Sequence, residues 1–90
     1  MTEKLAALAT DLRTHGYVAS YEHPGYLLVV QQTPSGPREY NFGFANGPLG
    51  WDRCPLDRPG EVDASDESDL TDESSTASMF EYIQAVIHAH

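Results

Sequence analysis

Residues 26–32 read YLLVVQQ, a nearly unbroken apolar run that includes two adjacent β-branched valines. A strand that is apolar on both faces is most simply the central strand of a sheet. The neighbouring segments alternate between apolar and polar side chains, which favours half-buried strands on either side. Residues 38–45 place three aromatic rings on one face, those of Tyr40, Phe42 and Phe44. The pattern predicts a three- to four-stranded antiparallel sheet within residues 17–54.

Amphipathic helices are predicted on both sides of this sheet in the chain. Residues 3–15 carry apolar side chains at helical spacing and are followed by Gly16, which accepts a left-handed cap. Residues 75–88 carry a second apolar stripe after a possible cap at Ser74 or Ser75. The two stripes consist of Leu5, Leu8, Ala9 and Leu12, and of Met79, Phe80, Ile83, Val86 and Ile87.

Two such helices can cover one face of a small sheet, with the aromatic rings of residues 38–45 packed beneath them. The fold class is therefore α+β, in one domain over residues 1–90. The expected order is an N-terminal helix, the antiparallel sheet, an acidic linker and a C-terminal helix packed on one sheet face.

The acidic linker is predicted at residues 57–73, where eight carboxylates stand against the single base Arg58. Such a segment cannot bury enough apolar surface to order itself, so we expect it to be flexible. Its carboxylates are nevertheless candidate contacts for a basic partner. The candidate residues are Asp63, Asp66, Glu67, Asp69, Asp72 and Glu73.

Composition restricts the partner. Five Lys and Arg against fourteen Asp and Glu give a net charge of −9, which repels phosphate backbones and anionic membranes and attracts basic proteins. We expect no direct binding of nucleic acid or membrane. The lone Cys54 excludes an intrachain disulfide, and no apolar run approaches the length of a membrane span, so a reducing cytoplasm is the expected location.

No motif predicts a catalytic, cofactor or metal site. Cys54 has no nucleophile signature around it, and His88 and His90 lack the spacing of metal ligands. Alternating acids from Asp63 onward imitate a calcium loop, but Ser68 and Ser74 stand where its glycine and its bidentate glutamate belong. We therefore expect a protein that is not an enzyme.

The apolar surplus of the central strand favours a role in protein binding. If Leu28 and Val30 face the helices, Leu27 and Val29 lie on the uncovered face as candidate partner contacts. We therefore expect a protein-interaction module that forms a homodimer through this face or through an edge strand. The alternative is an acidic inhibitor or nucleic-acid mimic directed at a basic, nucleic-acid-handling enzyme.

Overall fold

The structure is a computed structural model, described for residues 3–22, 25–44 and 47–89. Two helices flank a run of five strands in the chain. The elements are α1 (Glu3–Thr14), β1 (Val18–Glu22), β2 (Tyr26–Thr33), β3 (Gly36–Phe44), β4 (Leu49–Pro55), β5 (Ala64–Glu67) and α2 (Thr76–Ala89).

The strands form one antiparallel sheet in the order β1-β2-β3-β4-β5, so each strand pairs with its neighbour in the sequence. This arrangement confirms the α+β class and places the apolar strand β2 inside the sheet. The sheet has one strand more than expected, because β5 lies within the predicted linker.

The helix ends follow from local hydrogen bonding. Gly16 has a φ of 93°, and the amide of Tyr17 donates to the carbonyl of Leu12 at 3.0 Å, which closes α1 with a left-handed cap. At the start of α2, the amide of Ser78 donates to the hydroxyl of Ser75 at 3.1 Å. This bond confirms the predicted cap at Ser75, since a cap side chain accepts from an amide in the first turn.

The core lies between the helices and one face of the sheet. The apolar stripes of both helices join side chains of four strands in a single cluster. Tyr40 and Phe42 are fully buried there, which confirms their expected place beneath the helices, whereas Phe44 and Phe80 are only partly buried. The sheet contributes Ala19, Leu27, Val29, Tyr40, Phe42, Leu49 and Trp51 to the buried cluster.

The prediction that Leu27 and Val29 lie on the uncovered face is wrong, because both side chains have 0% exposure and belong to the core. The register explains the error. Leu27 pairs with Phe42 and Val29 with Tyr40, and side chains of directly paired residues lie on the same face. The aromatic rings of β3 therefore draw these two positions toward the helices, and Leu28 and Val30 point the other way.

The predicted linker is partly structured. Within it, β5 pairs with β4, and the amides of Asp63 and Ser68 donate to the carbonyls of Arg53 and Leu49, each at 2.8 Å. Backbone bonding at both ends thus attaches this segment to the sheet, in contrast to the flexible linker that its composition predicts. In the described part of the chain, neither helix has the length and apolarity required to cross a membrane.

Candidate protein-binding face

The two helices leave one side of the sheet uncovered, and we call this side the outer face. Side chains alternate across a strand, so the outer face carries the neighbours of the core residues. It is built from alternate residues of all five strands: Val18, Ser20 and Glu22; Tyr26, Leu28 and Val30; Glu39, Asn41 and Gly43; Gly50, Asp52 and Cys54; Ser65 and Glu67.

One half of the outer face, over β1 and β2, is mostly apolar, with Ser20 and Glu22 among its polar members. Val18 is 67% exposed and Tyr26 is 48% exposed, while Leu28 and Val30 between them are half-buried. Val18 pairs directly with Val30, which makes the exposed surface continuous across the two strands. We call these four side chains the apolar strip. Its position on a sheet face with no covering helix is typical of an interaction surface.

The other half, over β3 to β5, is acidic. Glu39, Asp52 and Glu67 lie on three successive strands, and we call them the acidic strip. The two strips meet where Val30 pairs with Glu39. The Asp52 carboxylate accepts a hydrogen bond from the Asn41 amide at 3.0 Å, which holds it on the sheet surface.

The positive charges of the described residues lie elsewhere. Lys4 and Arg13 are on α1, and the register places Arg38 and Arg53 on the same side of the sheet as Tyr40. Arg58, in the loop after β4, pairs with Asp57 and Glu61. All charged side chains that the described strands direct to the outer face are therefore carboxylates.

Two shallow hollows border the tyrosine ring on this face. One, of about 220 Å³, is lined by Tyr26, Asn41, Gly50, Asp52 and Glu67, among others. The second, of about 250 Å³, shares Tyr26, Asn41 and Asp52 but extends toward Glu39 and Val62. Each hollow thus combines an aromatic wall with at least two carboxylates.

Gly43 explains how Tyr26 reaches this position. A Cβ built on Gly43 would lie 3.0 Å from Cδ1 of Tyr26, a tight contact that would require the ring to shift. The absence of a side chain at Gly43 therefore lets the tyrosine ring lie over β3, beside both hollows.

The sheet edges are less suited to pairing with another strand. At β1, the guanidinium of Arg13 donates to the carbonyl of Ala19 at 2.9 Å and occupies a backbone acceptor. At the opposite edge, β5 is only four residues long and carries the charged Asp66 and Glu67. Short, charged edges and blocked backbone groups oppose edge-to-edge pairing.

Asp63 anchors the acidic segment. Its carboxylate accepts a hydrogen bond from Nε of Arg53 at 2.8 Å and from Nε of Arg38 at 2.9 Å. The bond from Arg53, supported by the bond from Arg38 and by both positive charges, lowers the pKa of Asp63 against the opposing effect of desolvation. Asp63 therefore makes two ion pairs within the chain, and its side chain remains 32% exposed.

The remaining predicted acidic contacts are distributed over two places. Glu67 belongs to the acidic strip, while Asp66 lies on the same strand with the opposite orientation. Asp69, Asp72 and Glu73 lie between β5 and α2. The structure therefore brings one of the six predicted carboxylates onto the outer face.

Four residues that line the hollows were not predicted as contacts: Tyr26, Glu39, Asn41 and Asp52. A signal for two of them is present in β3, because residues that alternate with Tyr40 and Phe42 must point away from the helices. Applied to Glu39 and Asn41, this rule places both on the outer face. Their connection to Asp52 requires the β3–β4 register, which the sequence does not specify.

The carboxylates of the outer face are not arranged as metal ligands. Across the described ranges, no three His, Cys, Asp or Glu side chains are grouped closely enough to hold an ion. Comparison of the chain with protein-family models, curated proteins and solved structures finds no match.

Proposed function

We propose that this chain is a non-enzymatic protein-interaction module that binds its partner through the outer face. The observation that carries the proposal is the exposed apolar strip on a sheet whose other face is covered by both helices. Burying such surface is favourable by about 25 cal/mol per Å² of apolar area, which supplies a driving force for association. The carboxylates beside the strip provide charged contacts at its border.

The partner is proposed to be another protein rather than a second copy. The homodimer was expected to form through an edge strand or through a face containing Leu27 and Val29, and these two residues lie in the core. A second copy would have to use the apolar strip, and each copy has a net charge of −9, so repulsion opposes their approach. A partner of opposite charge gains attraction from the same carboxylates.

Affinity capture from the native host tests this proposal with three forms of the chain as bait. A genuine partner is retained by the wild type and lost with Leu28→Lys, which puts a charge into the apolar strip. The matched control is Ala85→Lys, which makes a similar change at an exposed position of α2 and should retain the partner. If every captured protein binds Leu28→Lys as well as the wild type, the outer face is not the binding surface.

A second candidate function is inhibition of a basic, nucleic-acid-handling protein by mimicry of a phosphate backbone. It is favoured by the attachment of the acidic segment, because β5 and the Asp63 ion pairs hold neighbouring carboxylates near fixed positions. An inhibitor of this kind competes with duplex DNA for its target. Replacing Asp69 and Asp72 with asparagine removes both charges. This change should weaken such competition and leave binding through the outer face unchanged.

A further inference from the structure

The arrangement of charge on the outer face defines the chemistry of its partner, on the premise that this face is the binding surface proposed above. We propose that it docks a basic segment of a partner protein. In this complex, Lys or Arg side chains enter the two hollows beside Tyr26, and neighbouring apolar side chains cover the apolar strip.

The first support is charge complementarity. The described strands place no cation beside the acidic strip, and the ion pairs that Arg38, Arg53 and Arg58 make with Asp57, Glu61 and Asp63 lie away from it. A basic segment therefore gains Coulomb attraction without first breaking any of these ion pairs.

The second support is the composition of the hollows. In both, the ring of Tyr26 stands near Asp52, and a further carboxylate is supplied by Glu67 in one hollow and by Glu39 in the other. An aromatic face and carboxylates together bind a cationic side chain through cation–π attraction and charge-assisted hydrogen bonds.

The spacing of the hollows restricts the shape of the segment. Their linings diverge from the shared Asn41–Asp52 pair, toward Glu39 in one direction and toward Gly43 in the other. Positions two residues apart on a strand are about 7 Å apart, which is also the separation of side chains on one face of an extended peptide. An extended segment with basic residues at alternate positions therefore matches the direction in which the two hollows diverge.

The experiment uses two synthetic peptides of identical composition, LTKTKTL and LTKKTTL. In an extended conformation the first presents both lysines and both leucines on one face, whereas the second puts its lysines on opposite faces. Each is titrated into the isotope-labelled full chain, and backbone amide shifts locate the contact. We expect LTKTKTL to shift the amides of residues 26–30, 39–43 and 50–54 and to bind more tightly than its isomer.

Two double variants of equal charge test the role of the acidic strip. Glu39→Gln with Asp52→Asn removes two carboxylates from the outer face, and should weaken LTKTKTL binding about tenfold if each contact contributes somewhat under 1 kcal/mol. Asp11→Asn with Glu81→Gln removes two exposed carboxylates from the helices and should leave the dissociation constant within about twofold. Added salt should weaken binding to the wild type.

Three results would indicate general attraction to an acidic protein and would overturn the inference. They are equal binding of the two peptides, equal weakening by the two double variants, and shifts confined to residues 64–73. Absence of peptide binding would also overturn it. If LTKTKTL does not bind while the chain dimerises through a contact that Leu28→Lys abolishes, the basic-segment inference fails and the interaction module remains. If the peptide does not bind, the chain stays monomeric and no captured protein depends on Leu28, the proposed function fails too.

Discussion

The two faces of the sheet show how one run of sequence supplies two different surfaces. Leu27 and Leu28 are adjacent and chemically identical, yet Leu27 is fully buried beneath the helices and Leu28 is half-buried on the outer face. The covered face is filled with apolar and aromatic side chains, while the outer face combines an apolar strip with carboxylates. The apolar character of β2 therefore supports folding through one set of side chains and leaves the other set on a face that no helix covers.

The largest effect is expected from placing a lysine on each face of the sheet in turn. Leu27→Lys places an ammonium group where the side chain has no access to water, and burying an unpaired charge costs more than a small domain's stability of about 5 kcal/mol. We expect this variant not to fold. Leu28→Lys should fold with a melting midpoint within a few degrees of the wild type, because a half-exposed lysine extends its ammonium into solvent. Circular dichroism melts of the two variants measure the difference, and similar melts would contradict the assignment of the faces.

The acidic segment offers a second comparison, through its pH dependence. Ion pairing with Arg53 and Arg38 lowers the pKa of Asp63 in the folded chain, so the carboxylate contributes stability above its unfolded pKa. That contribution is lost as the pH falls through the lowered, folded-state pKa. We expect Asp63→Asn to be less stable than the wild type at neutral pH, and the two melting midpoints to converge in acid.

Amide hydrogen exchange identifies the residues that the loss of the Asp63 ion pairs destabilises. In the Asp63→Asn variant, residues 64–70 should exchange faster at neutral pH than in the wild type, because the anchor of β5 is weakened. The matched control is Asp69→Asn, which removes a carboxylate from the same segment without touching either arginine pair. Equal acceleration in both variants would show that Asp63 has no special role.

Both helices could be predicted because their apolar residues recur at helical spacing, and the fold class follows from the order of the helices and strands. The face assignment of β2 could not, since Leu27 to Val30 are apolar in either register and only pairing with Tyr40 and Phe42 decides between them. Strand β5 was missed for a different reason. Only Ala64 of its four residues packs against the core, and Ser65, Asp66 and Glu67 have the composition of a loop.

The sequence predicted that one sheet face is uncovered, but it did not identify most of the residues on that face. An apolar surplus on β2 indicates that one sheet face is available, whichever register applies. Locating the hollows requires Tyr26, Glu39 and Asp52 to be brought together from three strands, and this depends on pairing between residues far apart in the chain. Glu67 was included among the predicted contacts because of its charge alone.

A smaller effect is expected from the one buried side-chain polar atom that has no hydrogen bond among the described residues. The Tyr40 hydroxyl is buried and makes no hydrogen bond, and burial raises the pKa of its phenol. Because Tyr40→Phe removes this unpaired group, we expect the free energy of unfolding to stay the same or rise by up to about 1 kcal/mol. Tyr82→Phe is the control, since the Tyr82 hydroxyl accepts a hydrogen bond from the Trp51 indole at 3.0 Å, and its removal should cost about 1 kcal/mol. Chemical denaturation measures the free energy of unfolding of both variants. A large decrease in Tyr40→Phe would indicate a hydrogen bond at the Tyr40 hydroxyl.

The smallest effect on stability, and the sharpest test of the outer face, comes from Gly43. Alanine in a strand is favoured over glycine by about 0.5–1 kcal/mol, but here its Cβ would displace the ring of Tyr26. In Gly43→Ala, we expect the favourable strand propensity of alanine and the cost of displacing the ring nearly to cancel. In the Tyr26→Ala background the ring is absent, so adding Gly43→Ala should give the full gain in unfolding free energy. A double-mutant cycle by chemical denaturation isolates this coupling. In the single variant the ring is moved from its place beside the hollows, so LTKTKTL should bind more weakly although the fold is intact. The effects of the two substitutions on the unfolding free energy could instead be additive, with peptide binding unchanged. This result would show that the ring does not rest on Gly43 and that the hollows do not depend on the ring.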